Sequence, residues 1–334
     1  MAKERSASID MVKGLAIMTL FFLHFENGNI SDNFCFIVRS PVFYIVVGWL
    51  WGMSSNERTI KGHWEKRKKG LVVPYLWFSL IFLIIDLIFL AFHCISIQIL
   101  LRDIYKTVIL RGIGTLWFLP SLLLGELLFL WSKNKSWILK SSLYLVSFAI
   151  MCYYGYWHNN IFYETPQLKD ILNAPFRVIL DSVTTYFYVG IAYYFSRSYG
   201  KELFHKSKQI LFIVGSICCI IALFFSIYPL VGINGEMIFI LKNIFAGIGI
   251  LLLFRSIEKF KPLSVPFSYF GKNSLIVMSM HWALCEIVLV VDKNILGYDE
   301  YSGIRTLVYF VIAVFAMIGI IELINRKFRF IIGK

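Results

Sequence analysis

The stretch Ile9-Asp10-Met11-Val12-Lys13-Gly14-Leu15-Ala16-Ile17-Met18-Thr19-Leu20-Phe21-Phe22-Leu23-His24 decides how the rest of the chain is read. It is apolar over the length that crosses a hydrocarbon core as a helix, yet ionisable side chains interrupt it. Eleven positions separate Lys13 from His24, close to three full helical turns and about 16 Å of axial rise. The two side chains therefore share nearly one face, joining a cationic end to a titratable base. In hydrocarbon such groups are costly, and they are expected to face a bundle interior or an aqueous cavity where they act.

Outward from this segment the same apolar character recurs to the end of the chain. The 334 residues are 58% hydrophobic and 17% aromatic, with a mean hydropathy of +0.72. Stretches of span length fall at about 9–27, 36–53, 71–93, 114–131, 137–156, 178–196, 209–229, 236–254, 273–292 and 304–324. They predict an all-α membrane protein of about ten transmembrane helices forming one domain over residues 1–334. Asp10 and Lys13 interrupt the first span and no small-residue cleavage site follows, so it is read as retained rather than as a signal peptide. The longest connecting loop is expected near 157–176.

Charge gives an independent check on topology. With the N-terminus placed inside, the alternate connecting segments collect 24 of the 33 Lys and Arg, the bias expected of cytoplasmic loops, and both termini are then cytoplasmic. The net charge of +13 follows this topology and suits a lipid bilayer with anionic headgroups; it does not point to nucleic acid. The six cysteines show neither C-x-x-C nor a metal-type spacing with histidine, so no metal is expected.

Four clusters carry the chemistry. The ionisable groups within spans are Asp10, Lys13, His24, Glu26, Asp86, Glu126, Asp181, Lys242, Glu286 and Glu322, for most of which snorkelling or a structural ion pair is the ordinary explanation. His24 stands apart because Lys13 shares its face, and an imidazole can take a proton from a hydroxyl near neutral pH. The basic run Arg58 to Gly70, containing Lys66, Arg67 and Lys69 and leading into Pro74-Tyr75, suits phosphate groups, although positive-inside bias alone would also produce it. Gly112 to Pro120 opens a span with Leu116-Trp117-Phe118-Leu119, where interfacial aromatics are common. Phe270 to Trp282 holds a glycine turn, Asn273 in an N-cap setting, and a second membrane histidine, His281.

In this order, the four clusters resemble the integral-membrane acyltransferase family of the acyltransferase-3 type, within it the branch typified by fucose 4-O-acetylases. Asp10, Lys13, Gly14 and His24 match the family's first-span pattern, with Lys where many relatives carry Arg. Arg67, Pro74 and Tyr75 match the basic run, residues 116–119 the Leu-Trp-Phe-Leu motif, and 271–275 with 281 the Gly-Lys-Asn-Ser-Leu segment and its histidine. Arg39 and Val47 depart from it, standing where the branch often has histidine and serine.

The resemblance implies acyl transfer, normally of acetyl from cytoplasmic acetyl-CoA to a sugar hydroxyl on or destined for the cell surface, in a bacterial inner membrane. The acceptor would be a cell-surface polysaccharide or its lipid-linked precursor. His24 is then the expected catalytic base or transiently acetylated group, with Glu126 and His281 orienting or stabilising the reacting centre. Lys13, Lys66, Arg67, Lys69, Trp117 and Asn273 are expected to bind acetyl-CoA, and Asp10 and Tyr75 to orient. A transporter or flippase for a lipid-linked sugar is the competing expectation, since buried Asp, Glu, Lys and His also describe a carrier.

Overall fold

The computed structural model describes residues 7–26, 41–55, 58–160, 166–227, 233–292 and 303–334. Lys3, Arg5, Cys35, Arg39 and the side chain of Glu26 lie outside the described residues. Every element among those residues is helical. In chain order they are α1 (Ala7–Glu26), α2 (Pro41–Met53), α3 (Ile60–Arg67), α4 (Val73–Ala91), α5 (Ile97–Val108), α6 (Phe118–Ser132) and α7 (Trp137–Asn160), then α8 (Pro166–Phe195), α9 (Lys201–His205), α10 (Lys208–Ile227), α11 (Ile233–Ser256), α12 (Lys261–Lys272), α13 (Ser274–Val291) and α14 (Gly303–Lys327).

Each expected span coincides with a helix, but among the described residues seven are long and apolar enough to cross a membrane. Pro41–Met53 and Trp137–Tyr153 are shorter apolar helices, and α8 carries Arg177 and Asp181 within its length. The expected loop at 157–176 is largely helix instead, because α7 runs to Asn160 and α8 begins at Pro166. The basic run is helical too. Thr59 caps α3, its Oγ1 accepting from the Gly62 amide at 3.2 Å, and a π turn at Lys68–Val72 leads into α4. Pro74, in the first turn of α4, has no N–H for an intrahelical bond, and the wide turn immediately before it accommodates that gap.

The outer wall and the core follow from composition. Helices α10 and α14 expose Phe212, Ile213, Ile217, Phe224, Ile304, Val311 and Phe315, the apolar outer surface that lipid requires. Helix α1 lies inside, against α2, α11, α12, α13 and α14, and Met11, Val12, Ala16, Ile17 and Phe21 are fully buried. Two glycines of the quoted motifs set this packing. A Cβ on Gly14 would collide with the Phe267 carbonyl, and one on Gly271 with the Asp10 carbonyl. The backbones of α1 and α12 thus touch where only glycine fits, the small-residue contact typical of membrane helices.

Helix α5 was not among the expected spans, and it shapes the molecule. It is amphipathic, with Leu100 and Asp103 buried, and folds back along α4 until the Tyr75 hydroxyl donates to the Thr107 carbonyl at 2.7 Å. It also braces α8. Pro175 lies inside that helix and leaves the Ile171 carbonyl without its usual amide. The Tyr105 hydroxyl donates to that carbonyl at 3.2 Å.

Candidate active site

Helix α1 is unbroken from Ala7 to Glu26, so Lys13 and His24 do share a face as their spacing requires. At one end Lys13 pairs with Asp10, Nζ to Oδ1 at 3.2 Å. At the other, partly exposed His24 meets His281 of α13, ring centroids 5.2 Å apart and tilted by 33°. Trp282 closes on it edge-on at 5.0 Å.

His281 is fully buried, and its Nδ1 lies 2.8 Å from the Val277 carbonyl one turn back. A carbonyl only accepts, so Nδ1 carries the proton and Nε2 keeps the lone pair. That Nε2 has no hydrogen-bond partner among the described residues. The site therefore holds one accessible imidazole beside one buried imidazole with a basic nitrogen in reserve. Thr115 Oγ1 donates to the Met278 carbonyl at 2.7 Å, fixing the 3-10 turn at Gly114–Trp117 against α13. Gly114, at φ +52, lies flat against the Trp282 ring, where a Cβ would overlap it.

Glu126 belongs elsewhere. It is fully buried and accepts from His63 Nε2 at 2.8 Å, from Arg67 Nε at 2.8 Å and from a second Arg67 nitrogen. It sits on α6 nine residues after Trp117, about 14 Å away by helical rise. The structure thus brings His281, but not Glu126, to His24. The Glu126 network shapes the opposite end: the His63 ring packs edge-on to Trp51 at 4.9 Å, and the Arg58 guanidinium lies over Trp51 at 4.9 Å. Trp51 and Arg58 join Lys133, Arg197, Tyr193 and Tyr194 around a cavity of about 140 Å³.

The remaining expected residues divide between the two ends. Lys66 and Lys69 are exposed and Arg67 half-buried at the Glu126 end. Trp117 is at the other end, under the Arg111 guanidinium at 5.5 Å. Asn273 occupies the start of α13 without capping it. Its Nδ2 donates to the Tyr269 carbonyl at 2.9 Å and its Oδ1 accepts from Asn325 at 2.8 Å, so it ties three helices together. Tyr75 is a brace for α5, as described above. His63 was within the quoted basic run but not singled out; its signal was the i, i+4 spacing to Arg67 on one face of α3. Trp282, next to the expected His281, gave no signal beyond that adjacency.

A helical membrane bundle with two imidazoles paired in its interior is the class of protein that these features define. The chain belongs to the acyltransferase-3 family: the family model described as an acyltransferase domain matches residues 6–326. It is a membrane acyltransferase, and the carrier reading finds no support among these findings. No curated protein and no solved structure matches the chain significantly.

Proposed function

We propose that the protein transfers acetyl from cytoplasmic acetyl-CoA to a hydroxyl of a cell-surface polysaccharide or its lipid-linked precursor, in a bacterial inner membrane, as fucose 4-O-acetylases do. The observation that carries this is the His24–His281 pair on a helix whose opposite end bears Lys13. A turn of the His24 ring would let its N–H donate to the unpaired His281 Nε2, which leaves the other His24 nitrogen as base. That nitrogen takes the hydroxyl proton as the oxygen attacks the thioester carbonyl; the C–S bond breaks, and the proton passes to the departing thiolate. The atoms balance without any further reagent.

The residues at the other end fit the donor. Arg58, Lys133 and Arg197 offer cations to its phosphates and Trp51, Tyr193 and Tyr194 offer faces to its base, around one cavity. Exposed Lys66 and Lys69 extend the cationic surface. Glu126 holds Arg67 and His63 together, and His63 packs against the cavity residue Trp51, so this network supports the cavity from behind. A transfer assay on the His24→Ala variant tests the proposal: label from acetyl-CoA should no longer reach glycan while donor binding persists. Near-normal turnover in that variant would remove His24 from the chemistry.

A further inference from the structure

Beyond the histidine pair lies a second cavity, of about 310 Å³, lined by Arg102, Lys106, Arg111, Arg177, Trp282 and Glu286 among others. Its volume is at the low end of small-ligand sites, large enough for one sugar ring. Trp282 belongs to both sites, since the same ring that lines this cavity packs against His24. Glu286 follows Trp282 by one turn of α13 and lines the same cavity, and Gly114 packs against the five-membered part of the ring.

The cations here run against the topological bias. Nine Lys and Arg fall outside the expected cytoplasmic segments, and four of those nine line this one cavity. Positive-inside bias gives no reason for them. Nor is this a simple anion site, because carboxylates match them. Arg102 donates to Asp103 at 3.0 Å, and Arg111 to Asp181 at 3.0 Å. Buried Asp86 is close enough to Asp103, Glu286 and Arg102 to interact with them. A wall that alternates fixed donors and fixed acceptors suits groups that both donate and accept, which is what sugar hydroxyls do. A tryptophan at its edge supplies the flat apolar face that a pyranose ring needs.

We propose that this cavity is the acceptor subsite: it binds one hydroxyl-bearing sugar residue of the glycan beside the Trp282 ring, with one hydroxyl reaching past the ring edge to His24. The inference rests on the acyl-transfer reading above and adds the residues that choose the acceptor. Trp282 and Gly114 act as positioning residues, whereas Glu286 and Arg102 contact the sugar.

The test uses membrane vesicles from the cells that make the protein, so that their own glycan is the acceptor, supplied with radiolabelled acetyl-CoA. Wild type is compared with Glu286→Gln, Arg102→Gln and Gly114→Ala, and acetyl-CoA affinity of each purified protein reports folding. The expected result is a loss of label in the glycan of about tenfold or more for each variant, with donor affinity unchanged. Labelling equal to wild type in all three variants would overturn the acceptor subsite and leave the acyl-transfer reading standing. Wild type that binds acetyl-CoA but labels no glycan would overturn the sugar assignment. Wild type that binds no acetyl-CoA would overturn the acyl-transfer reading and this inference with it.

Discussion

Replacing Glu126 by Ala should be among the most damaging single changes in the protein, for reasons that are structural rather than catalytic. The carboxylate is fully buried and takes three donors, two from Arg67 and one from His63. The side-chain exposures of the partners are 24% for Arg67 and 2% for His63. Hydrogen bonds to a charged group are worth about 1.5–3 kcal/mol each, but Arg67 can turn partly to water, so the three do not add in full. Breaking a buried pair typically costs about 3–5 kcal/mol. For a chain of this size that corresponds to about 6–10 °C in the apparent Tm, at about 2 °C per kcal/mol. Thermal unfolding in detergent, followed by tryptophan fluorescence, measures it. Arg67→Lys should recover little, because an ammonium cannot reproduce the two-pronged contact. If Glu126→Ala unfolded within about 2 °C of wild type, the buried network would not be holding α3 to α6, and the role assigned to Glu126 would be wrong.

Three other outcomes follow from the geometry. Gly14→Ala and Gly271→Ala each push a methyl into a backbone carbonyl, and should cost about 1–3 kcal/mol or more by overpacking, read as lower Tm together with reduced transfer as α1 shifts. Thr115→Val removes the 2.7 Å bond to Met278; it should cost about 1 kcal/mol in stability, and a transfer rate that falls further than stability explains would show that this turn positions Trp282. His281→Ala removes the acceptor beside His24 and should lower the maximal transfer rate while leaving acetyl-CoA affinity as in wild type, a split that steady-state kinetics and binding resolve together.

The helices were legible because lipid demands long apolar stretches: a helix occupies the described part of each expected span, although seven rather than ten among the described residues are long and apolar enough to cross a membrane. What composition could not give was their exact extent. The expected loop at 157–176 is helix in large part because polar residues such as Asn159, Asp170 and Asn173 do not by themselves end a helix. The basic run reads as loop by charge alone, yet Thr59 supplies a cap and the chain passes through a π turn straight into α4. Helix α5 does not read as a span because Arg102, Asp103 and Lys106 break its apolar pattern and twelve residues are too few to cross a membrane. This conceals the second cavity, whose charged residues come from α5, the following turn, α8 and α13 and meet only because α5 folds back. For the site, the spacing of Lys13 and His24 within one helix was fully readable. Glu126 was misplaced for the opposite reason: its partners lie about sixty residues away in sequence, and no local pattern connects them. Trp117, expected to join the basic residues in binding acetyl-CoA, lies instead in the 3-10 turn before α6, at the end away from them. Gly271, read as part of a turn, and Gly14, read within the first span, mark a backbone contact between two helices.

Acetyl-CoA binding to the purified protein, measured by titration calorimetry on wild type, Lys13→Ala and His24→Ala, goes most directly to whether this membrane protein is an acetyl-CoA-dependent transferase. Saturable binding is expected, weakened in Lys13→Ala and spared in His24→Ala. A folded wild type that binds no acetyl-CoA at any accessible concentration would contradict it.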